Sequence, residues 1–260
     1  MTRFSANLGF LFTDRALPDA IRAARAAGFA AVECHFPYTV EATDIRAALD
    51  ETGLPMLGLN TVRGNESAGE FGLCALPGRE VEARAAIDQA VAYAAAIGAR
   101  NVHVMAGLTD GGTGAGAVFR ANLAHACDLA AAQGLGVLIE PINHRDAPGY
   151  HLHRVEDAAD LVAALGRPNL RVMFDCYHTQ IMQGDIIRRF EAHREVIGHV
   201  QIAAVPDRGE PDAGELNYPE ILSAFAELGW TEPVGAEYKP RSGVTERGLG
   251  WMDAYRGATT

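Results

Sequence analysis

The chain has 260 residues, with 22 Lys and Arg against 33 Asp and Glu, and its formal net charge of −11 disfavours non-specific binding to nucleic-acid phosphates. Its hydrophobic content of 48% suits a large buried core, yet no apolar run approaches the ~20 residues that a membrane span needs. The start of the chain lacks a signal-peptide pattern and the four cysteines form no C-x-x-C pair, so we expect a cytoplasmic protein with reduced thiols and no membrane partner.

A repeated junction organises the chain: an Ala-rich helical stretch ends in Gly, and a short run of β-forming residues follows. Glycine ends a helix in the left-handed conformation at the lowest cost. The β-forming runs are rich in Val, Ile, Leu and Met and alternate little, which is typical of parallel strands buried on both faces. These junctions lie at Gly28, Gly53, Gly98, Gly134, Gly166 and Gly229.

Strands and helices alternate along the whole chain, which predicts the α/β class. Eight such units in roughly 250 residues predict a (β/α)8 TIM barrel, and a doubly wound sheet of eight strands is the competing architecture. No linker divides the chain, so we expect a single domain over residues 1–260. The predicted strands are Phe4–Asn7, Ala31–His35, Met56–Asn60, Asn101–Met105, Gly136–Glu140, Leu170–Asp175, Ile197–Ile202 and Val234–Glu237. The predicted helices include Leu17–Ala27, Arg79–Ile97, Val118–Gln133, Val155–Leu165 and Tyr218–Leu228.

Each of the last four predicted strands carries an oxygen-bearing side chain at its end: Glu140, Asp175, Gln201 and Glu237. In a barrel of this kind chemistry gathers at the carboxyl ends of the strands, so we expect these side chains at one mouth. Three carboxylates in a small space repel each other and so raise each other's pKa, and a divalent cation would relieve that repulsion. Hard oxygen ligands suit Mg²⁺ or Mn²⁺. A single such acid more often caps a strand or pairs with Arg, but four in register favour a metal site.

The residues that follow these strand ends favour a small anionic substrate. Asp146 lies in the connection 141–153, His178 is predicted on the loop after Asp175, and Arg208 and Lys239 follow the last two strands. Together with a metal cation they would form a pocket that attracts anions, although solvated loop charges are an alternative for Arg208 and Lys239. Connections as long as 61–78, 141–153 and 203–217 are usually functional in a compact domain.

A second motif, GGTGAGAV from Gly111, resembles the G-x-G-x-x-A dinucleotide fingerprint through Gly112, Gly114 and Ala117. Complete strand–helix units precede it, and a lone match is weak. We interpret the segment as a loop between a strand and a helix.

Long blocks of the sequence resemble the hydroxypyruvate isomerase family, which belongs to the xylose-isomerase-like TIM barrels and includes the 2-oxo-tetronate isomerases. The blocks include LIEPINHRDAPGYHL, FDCYHTQIMQGD, GHVQIAAVPDRGEPDAGELNY and GAEYKP, and the similarity runs from the first strand to the last helix. The resemblance implies a divalent-metal site with the ligands Glu140, Asp175, Gln201 and Glu237. It also implies that Glu140 and Glu237 act as an acid/base pair.

The resemblance further implies that His178, Asp146 and Arg208 face the substrate. Sugar epimerases of the wider superfamily resemble a Glu-Asp-His-Glu set, whereas this chain has Gln201 at the third position. Glutamine there is usual in the hydroxypyruvate isomerase branch. The comparison therefore favours that branch over a ketose epimerase.

The expected reaction is the metal-dependent isomerisation of hydroxypyruvate and 2-hydroxy-3-oxopropanoate (tartronate semialdehyde), with proton transfer between two glutamates through an enediolate. A 2-oxo-tetronate isomerase, an epimerase or dehydratase on the same barrel, and a non-catalytic sugar-acid binding protein remain alternatives. A DNA-repair endonuclease would require clustered His ligands and a basic face, which the net charge opposes. We expect the 61–78 loop to select the substrate, and a homo-oligomer is possible.

Overall fold

The strands form a ring in which neighbours in sequence are neighbours in space. The computed structural model of the protein describes residues 2–109, 111 and 113–255. Within these residues the paired strands are parallel, each lies beside the next in sequence, and the first also pairs with the last. The strands are β1 (Phe4–Asn7), β2 (Ala31–Glu33), β3 (Gly58–Asn60), β4 (Asn101–His103), β5 (Gly136–Ile139), β6 (Leu170–Asp175), β7 (Ile197–Ile202) and β8 (Val234–Ala236).

Backbone hydrogen bonds between β2 and the chain entering β3 close this ring. The amide of Val32 donates to the carbonyl of Pro55 at 3.0 Å, and the amide of Leu57 donates to the carbonyl of Val32 at 2.7 Å. A doubly wound sheet would instead have open edges and a reversal of strand order. The alternative architecture is therefore wrong, and the predicted TIM barrel is confirmed.

Helices follow the strands on the outside of the barrel. They are α1 (Leu17–Ala26), α2 (Ala42–Thr52), α3 (Glu80–Ile97), α4 (Ala115–Ala131), α5 (Val155–Leu165), α6 (Cys176–Met182), α7 (Ile186–His193) and α8 (Tyr218–Glu227). Short 3-10 helices cover Glu66–Ala68, Arg194–Val196 and Thr245–Tyr255. None of the helices in the described part of the chain combines the length and the hydropathy that crossing a bilayer requires.

The glycine junctions predicted from the sequence end the helices as expected. All six adopt positive φ angles, from 60° at Gly166 to 92° at Gly229. The largest shift in a predicted helix is at α4, which begins at Ala115 rather than at Val118. Its N-cap, Gly114, has φ 112°, so the glycine-rich segment turns directly into the helix. Gly112 of that motif lies outside the described residues.

Small side chains let the helices pack closely on the barrel. In α3 the buried positions include Ala83, Ala86, Ala90 and Ala94, which recur three and four residues apart and so share one face. Val and Ile dominate the strand interiors, and burying each such side chain contributes about 1.5–3 kcal/mol. This packing fixes the strand ends, on which the polar side chains are carried.

The four cysteines are buried in the protein interior. All four are buried and unpaired in the structure, at Cys34, Cys74, Cys127 and Cys176. Burial raises the pKa of the Cys74 thiol to about 12 and that of Cys127 to about 11, so both are protonated at neutral pH. Cys176, which follows Asp175, is also fully buried.

Candidate active site

An acidic centre lies at the carboxyl end of the barrel. Glu140 directly follows β5, Asp175 ends β6, Glu237 directly follows β8, and His178 lies in the first turn of α6. One ligand atom from each of the four lies within 4.8 Å of the others, and all four side chains are buried. The structure therefore brings together three of the four ligands predicted from the sequence and adds His178 to them.

Gln201, the fourth predicted ligand, lies beside this centre on β7. It pairs in register with Asp175, so the two side chains leave the same face of the sheet. Its amide nitrogen donates to Glu33 Oε2 at 3.1 Å, and Glu33 also accepts from His199 Nε2 at 2.8 Å. Because a carboxylate only accepts hydrogen bonds, Glu33 fixes the orientation of the amide. The opposite atom, Gln201 Oε1, is buried and finds no hydrogen-bond partner among the described residues.

His178 lies on a helix and not on the loop that the sequence predicted. Asp175 is the reason, because its Oδ1 accepts a hydrogen bond from the amide of Tyr177 at 2.7 Å and so caps the start of α6. The chain therefore passes directly from β6 into a helix. This helix holds His178 Nε2 at 3.7 Å from Glu140 Oε1 and at 3.6 Å from Asp175 Oδ2, too far for hydrogen bonds.

A chain of hydrogen bonds sets the tautomer of His178. The amide of Asp146 donates to Asn143 Oδ1 at 2.8 Å, which directs Asn143 Nδ2 toward His178 Nδ1 at 2.6 Å. Burial, followed by the charge of Arg208, lowers the pKa of His178 to about 3, so the ring is neutral. With Nδ1 accepting, the proton is on Nε2, which faces the acidic centre. His178 thus presents a hydrogen-bond donor to this centre.

The two glutamates occupy opposite environments. Glu237 Oε1 accepts from Asn7 Nδ2 at 2.8 Å and from His35 Nε2 at 2.9 Å, and its Oε2 accepts from Arg208 at 2.6 Å. Burial acts to raise the pKa of Glu237, but Arg208 and His35 outweigh it and hold the pKa well below its ordinary value. Burial and then the charges of Glu237 and Asp175 raise the pKa of Glu140 well above its ordinary value.

Arg208 is the central cation of the site. Its guanidinium lies 2.6 Å from Glu237 and 3.7 Å from Asp175, and it packs 5.0 Å from the ring centre of Phe10 and 4.9 Å from that of Tyr177. Burial acts to lower its pKa, but the neighbouring carboxylates outweigh this and raise it. Arg208 therefore remains charged and balances the acids around it.

The remaining two residues predicted to bind substrate lie nearer the surface. Asp146 is a hydrogen-bond acceptor for Tyr177 Oη at 2.8 Å and lines the cavity above the acidic centre. The side chain of Lys239 is exposed, with Nζ 5.7 Å from the ring centre of Phe10. Its amide donates to the carbonyl of Arg208 at 2.7 Å, so the backbone of Lys239 supports the Arg208 loop while its charge stays at the rim.

Three polar residues of the site were missed by the sequence analysis. Asn7 ends β1, His35 follows β2 and His103 ends β4. Asn7 and His35 are hydrogen-bonded to Glu237, and His103 Nδ1 lies 3.8 Å from Glu140 Oε2. Asn7 and His35 end their predicted strands, so the strand-end rule identifies them when it is applied to the first four strands. His103 lies two residues before Met105, the predicted end of its strand, and the rule does not identify it.

Gly9 leaves the space that His35 occupies, which gives a first prediction. A Cβ at Gly9 would lie 2.1 Å from His35 Nδ1, so Gly9→Ala would displace the ring from Glu237. We expect kcat to fall about 100-fold, as small misplacements at active sites do, in steady-state assays. Gly116→Ala on α4 is the control, since its Cβ would meet only Arg120 at 3.5 Å. Unchanged kinetics in a folded Gly9→Ala variant would exclude a role for the His35–Glu237 contact.

A cavity of about 50 Å³ opens above the acidic centre. Phe10 and Phe71 contribute apolar walls, and the acids, histidines and Arg208 contribute polar ones. Most of the residues that line the cavity are polar or charged, so it suits a small polar molecule. The volume suits a molecule of only a few heavy atoms.

Barrel and site together define a TIM-barrel enzyme with a buried acidic centre at the carboxyl ends of its strands. The chain belongs to the xylose isomerase-like TIM barrel family, whose sequence profile matches residues 21–255. It is 47% identical over 260 residues to a 2-oxo-tetronate isomerase of Cupriavidus necator, covering 99% of this chain and 100% of that one. It is 37% identical to the hydroxypyruvate isomerase of Escherichia coli K12, covering 98% and 100%.

A solved structure with a similar chain is titled AP endonuclease, family 2, from Brucella melitensis. It superposes with a TM-score of 0.94 and 43% identity, covering 98% of this chain and 100% of that one. The resemblance stated from the sequence is thus confirmed at the level of family. The two curated relatives of this chain are isomerases, and the chain is an enzyme of the aldose–ketose isomerase class.

Proposed function

We propose that the enzyme isomerises a short hydroxy-oxo acid with the help of a divalent metal ion, interconverting hydroxypyruvate and 2-hydroxy-3-oxopropanoate. The observation that carries the proposal is the buried pair Glu140 and Glu237, which share one acidic centre but have pKa values shifted in opposite directions. Pairs of carboxyl groups separated in this way are typical of acid/base catalysis. The names of the two curated relatives support a sugar acid as the substrate.

The donor set fits a hard divalent cation. Glu140 Oε1, Asp175 Oδ2 and Gln201 Oε1 are buried oxygens without a hydrogen-bond partner in the described part of the chain. Leaving such atoms unpaired costs about 1–3 kcal/mol each, more for a charged group. Glu140, Asp175, Gln201 and Glu237 would hold Mg²⁺ or Mn²⁺, ions that prefer oxygen ligands. Such an ion supplies Lewis-acid stabilisation of negative charge on the substrate oxygens.

The glutamates provide the proton transfer. In hydroxypyruvate the hydroxymethyl carbon must lose a proton and the neighbouring carbonyl carbon must gain one, while the hydroxyl proton passes to the former carbonyl oxygen. Glu237 is ionised and can accept the first proton, and Glu140, which lies in the same acidic centre, is placed to return a proton to the neighbouring carbon. In the reverse direction the two residues exchange roles. The Nε2–H of His178 faces the same centre and can donate to a substrate oxygen.

Metal removal tests the proposal. Chelation with EDTA is expected to lower isomerisation of hydroxypyruvate at least 100-fold, and Mg²⁺ or Mn²⁺ is expected to restore it, because both glutamates and Asp175 would otherwise repel each other. In deuterated water, NMR should show deuterium at carbon 2 of the product. Full activity after chelation, with bound metal excluded by elemental analysis, would contradict metal dependence.

A four-carbon acid is the second candidate substrate. The relative of Cupriavidus necator, named a 2-oxo-tetronate isomerase, shares 47% identity with this chain. A cavity of about 430 Å³ adjoins the active-site cavity, and the two share Phe10, His35 and Arg63 as walls. The adjoining space would accommodate a longer chain. A panel of three- and four-carbon acids, compared by kcat/KM, decides between the two.

Nucleic acid is not proposed as a substrate, although the similar Brucella structure is titled an endonuclease. His35, His103 and His178 do surround the cavity. However, His35 bonds Glu237 and His178 turns its N–H toward the acids, and the formal net charge is −11. A phosphate backbone would be repelled from such a protein. We expect no cleavage of a duplex that contains an abasic site.

A further inference from the structure

We propose that Arg63 binds the carboxylate of the substrate and thereby selects hydroxy-oxo acids over uncharged hydroxy-carbonyl compounds. This inference rests on the proposed function and assigns one part of it to a residue. Nothing in the local sequence distinguishes Arg63 from the other charged residues of the 61–78 loop.

The charges around the cavity leave this role to Arg63. Among the described residues that line the cavity, the arginines are Arg63 and Arg208. Arg208 is held by Glu237 at 2.6 Å and lies 3.7 Å from Asp175, so its charge already balances the acidic centre. The ammonium group of Lys239 stays exposed at the rim. An anionic substrate in this acidic site needs a further cation, which Arg63 supplies.

The guanidinium of Arg63 is held in place but not saturated with hydrogen bonds. It lies 4.8 Å from the ring centre of Phe36 and 4.7 Å from that of Phe71, two cation–π contacts that fix its plane. Its Nε is buried and has no hydrogen-bond partner within the described ranges. A planar guanidinium with unused donors matches a carboxylate, which it can bind through two parallel hydrogen bonds.

The loop that carries Arg63 is folded firmly on itself. The amide of Gly72 donates to the carbonyl of Arg63 at 2.8 Å, which joins the two sides of the loop. Glu70 accepts from the amide of Asn65 at 2.6 Å and from Arg79 at 2.8 Å. The side chain of Arg63 is therefore presented on an ordered support, which lowers the entropy lost when it binds a ligand.

The present ion pair of Arg63 is weak enough to be replaced. Its Nη1 lies 3.1 Å from Glu66 Oε2, and the side chain of Glu66 is 63% exposed. Exposed pairs of this kind contribute little because water and salt screen them. A substrate carboxylate in the partly buried cavity would be screened less and would compete successfully for the guanidinium.

Matched ligands that differ only in the carboxylate test the role of Arg63. Glycerate and glycerol share a skeleton, and so do hydroxypyruvate and dihydroxyacetone, in which a hydroxymethyl group replaces the carboxylate. In Arg63→Gln we expect glycerate affinity, measured by calorimetry on the metal-loaded enzyme, to fall about 10- to 100-fold, the usual range for charge-assisted hydrogen bonds. Glycerol binding should not change. For hydroxypyruvate the loss should be in KM more than in kcat, and Arg63→Lys should recover part of it.

Arg46→Gln is the control, since Arg46 forms an exposed pair with Asp50 at 3.0 Å. Thermal unfolding of each variant shows whether it folds. Equal losses for glycerate and glycerol in Arg63→Gln, or no loss for glycerate, would overturn the assignment. If the parent enzyme isomerises none of the acids, the proposed function fails, whereas the glycerate comparison still tests Arg63 independently.

Discussion

Replacing Glu140 or Glu237 by glutamine is expected to lower kcat for hydroxypyruvate about 10²- to 10⁴-fold, the range that positioned acids and bases contribute. The two variants should differ in stability, because the glutamates lie in opposite environments. Glu140→Gln removes a buried carboxylate that burial and its acidic neighbours disfavour, so the metal-free protein should unfold at a higher temperature. Glu237→Gln leaves Arg208 without its partner at 2.6 Å and should destabilise the protein by about 3 kcal/mol.

Steady-state kinetics and thermal unfolding of both variants, with and without Mn²⁺, check this expectation. Glu51→Gln is a suitable control, because Glu51 is an exposed acid paired with Arg22 at 2.8 Å and does not line the active-site cavity. Full activity in either variant would remove that glutamate from the mechanism. Equal changes in stability would show that the electrostatic difference between Glu140 and Glu237 has been misjudged.

Metal affinity should increase steeply with pH. Burial, opposed by Arg208 and reinforced by Glu237, raises the pKa of Asp175 to about 7, and the pKa of Glu140 is also raised. In the metal-free protein Asp175 holds a proton below pH 7, the raised pKa of Glu140 acts in the same direction, and a bound cation must displace such protons. As the pH is lowered from 7 to 5.5, each proton that the metal displaces should reduce the apparent affinity for Mn²⁺ about tenfold per pH unit. Titration calorimetry in two buffers would also show the released protons.

Stability of the metal-free protein should change in the opposite direction. A carboxyl group whose pKa is raised by folding stabilises the folded state at low pH, and that contribution is lost as pH rises through the folded pKa. For Asp175 this window runs from its ordinary pKa of 3.8 up to the folded value of about 7. From pH 5.5 to 7 the melting temperature without metal should fall, while the increase caused by Mn²⁺ should grow. A metal affinity that does not vary with pH would contradict the buried acidic centre.

The architecture could be predicted because its signals are local. Each helix that ends in Gly and each unalternating run of apolar residues specifies its own element, and eight such units have few ways to close. The prediction failed at His178, which was assigned to a loop. There the capping bond from Asp175 to the amide of Tyr177 starts a helix at once, and α6 is too short to show periodicity. The predicted helices likewise did not include α7, and α2 was predicted only through the junction at Gly53 that ends it.

The site could be predicted in part for the same reason. Strand ends identify Glu140, Asp175, Gln201 and Glu237, because parallel strands deliver their last residues to one rim. What these residues are bonded to could not be predicted. Glu237 is separated by 202 residues from His35, to which it is hydrogen-bonded.

The barrel, the family and the acids at its rim follow from the amino-acid sequence alone, because glycine junctions, apolar runs and strand ends are each encoded by a few neighbouring residues. The fold is needed to show which oxygens remain without partners and which arginine balances the acids. Those outcomes depend on burial and on charges that meet across the barrel. They also separate Arg208, whose charge is balanced by Glu237 and Asp175, from Arg63, which contacts two aromatic rings and pairs only with an exposed glutamate.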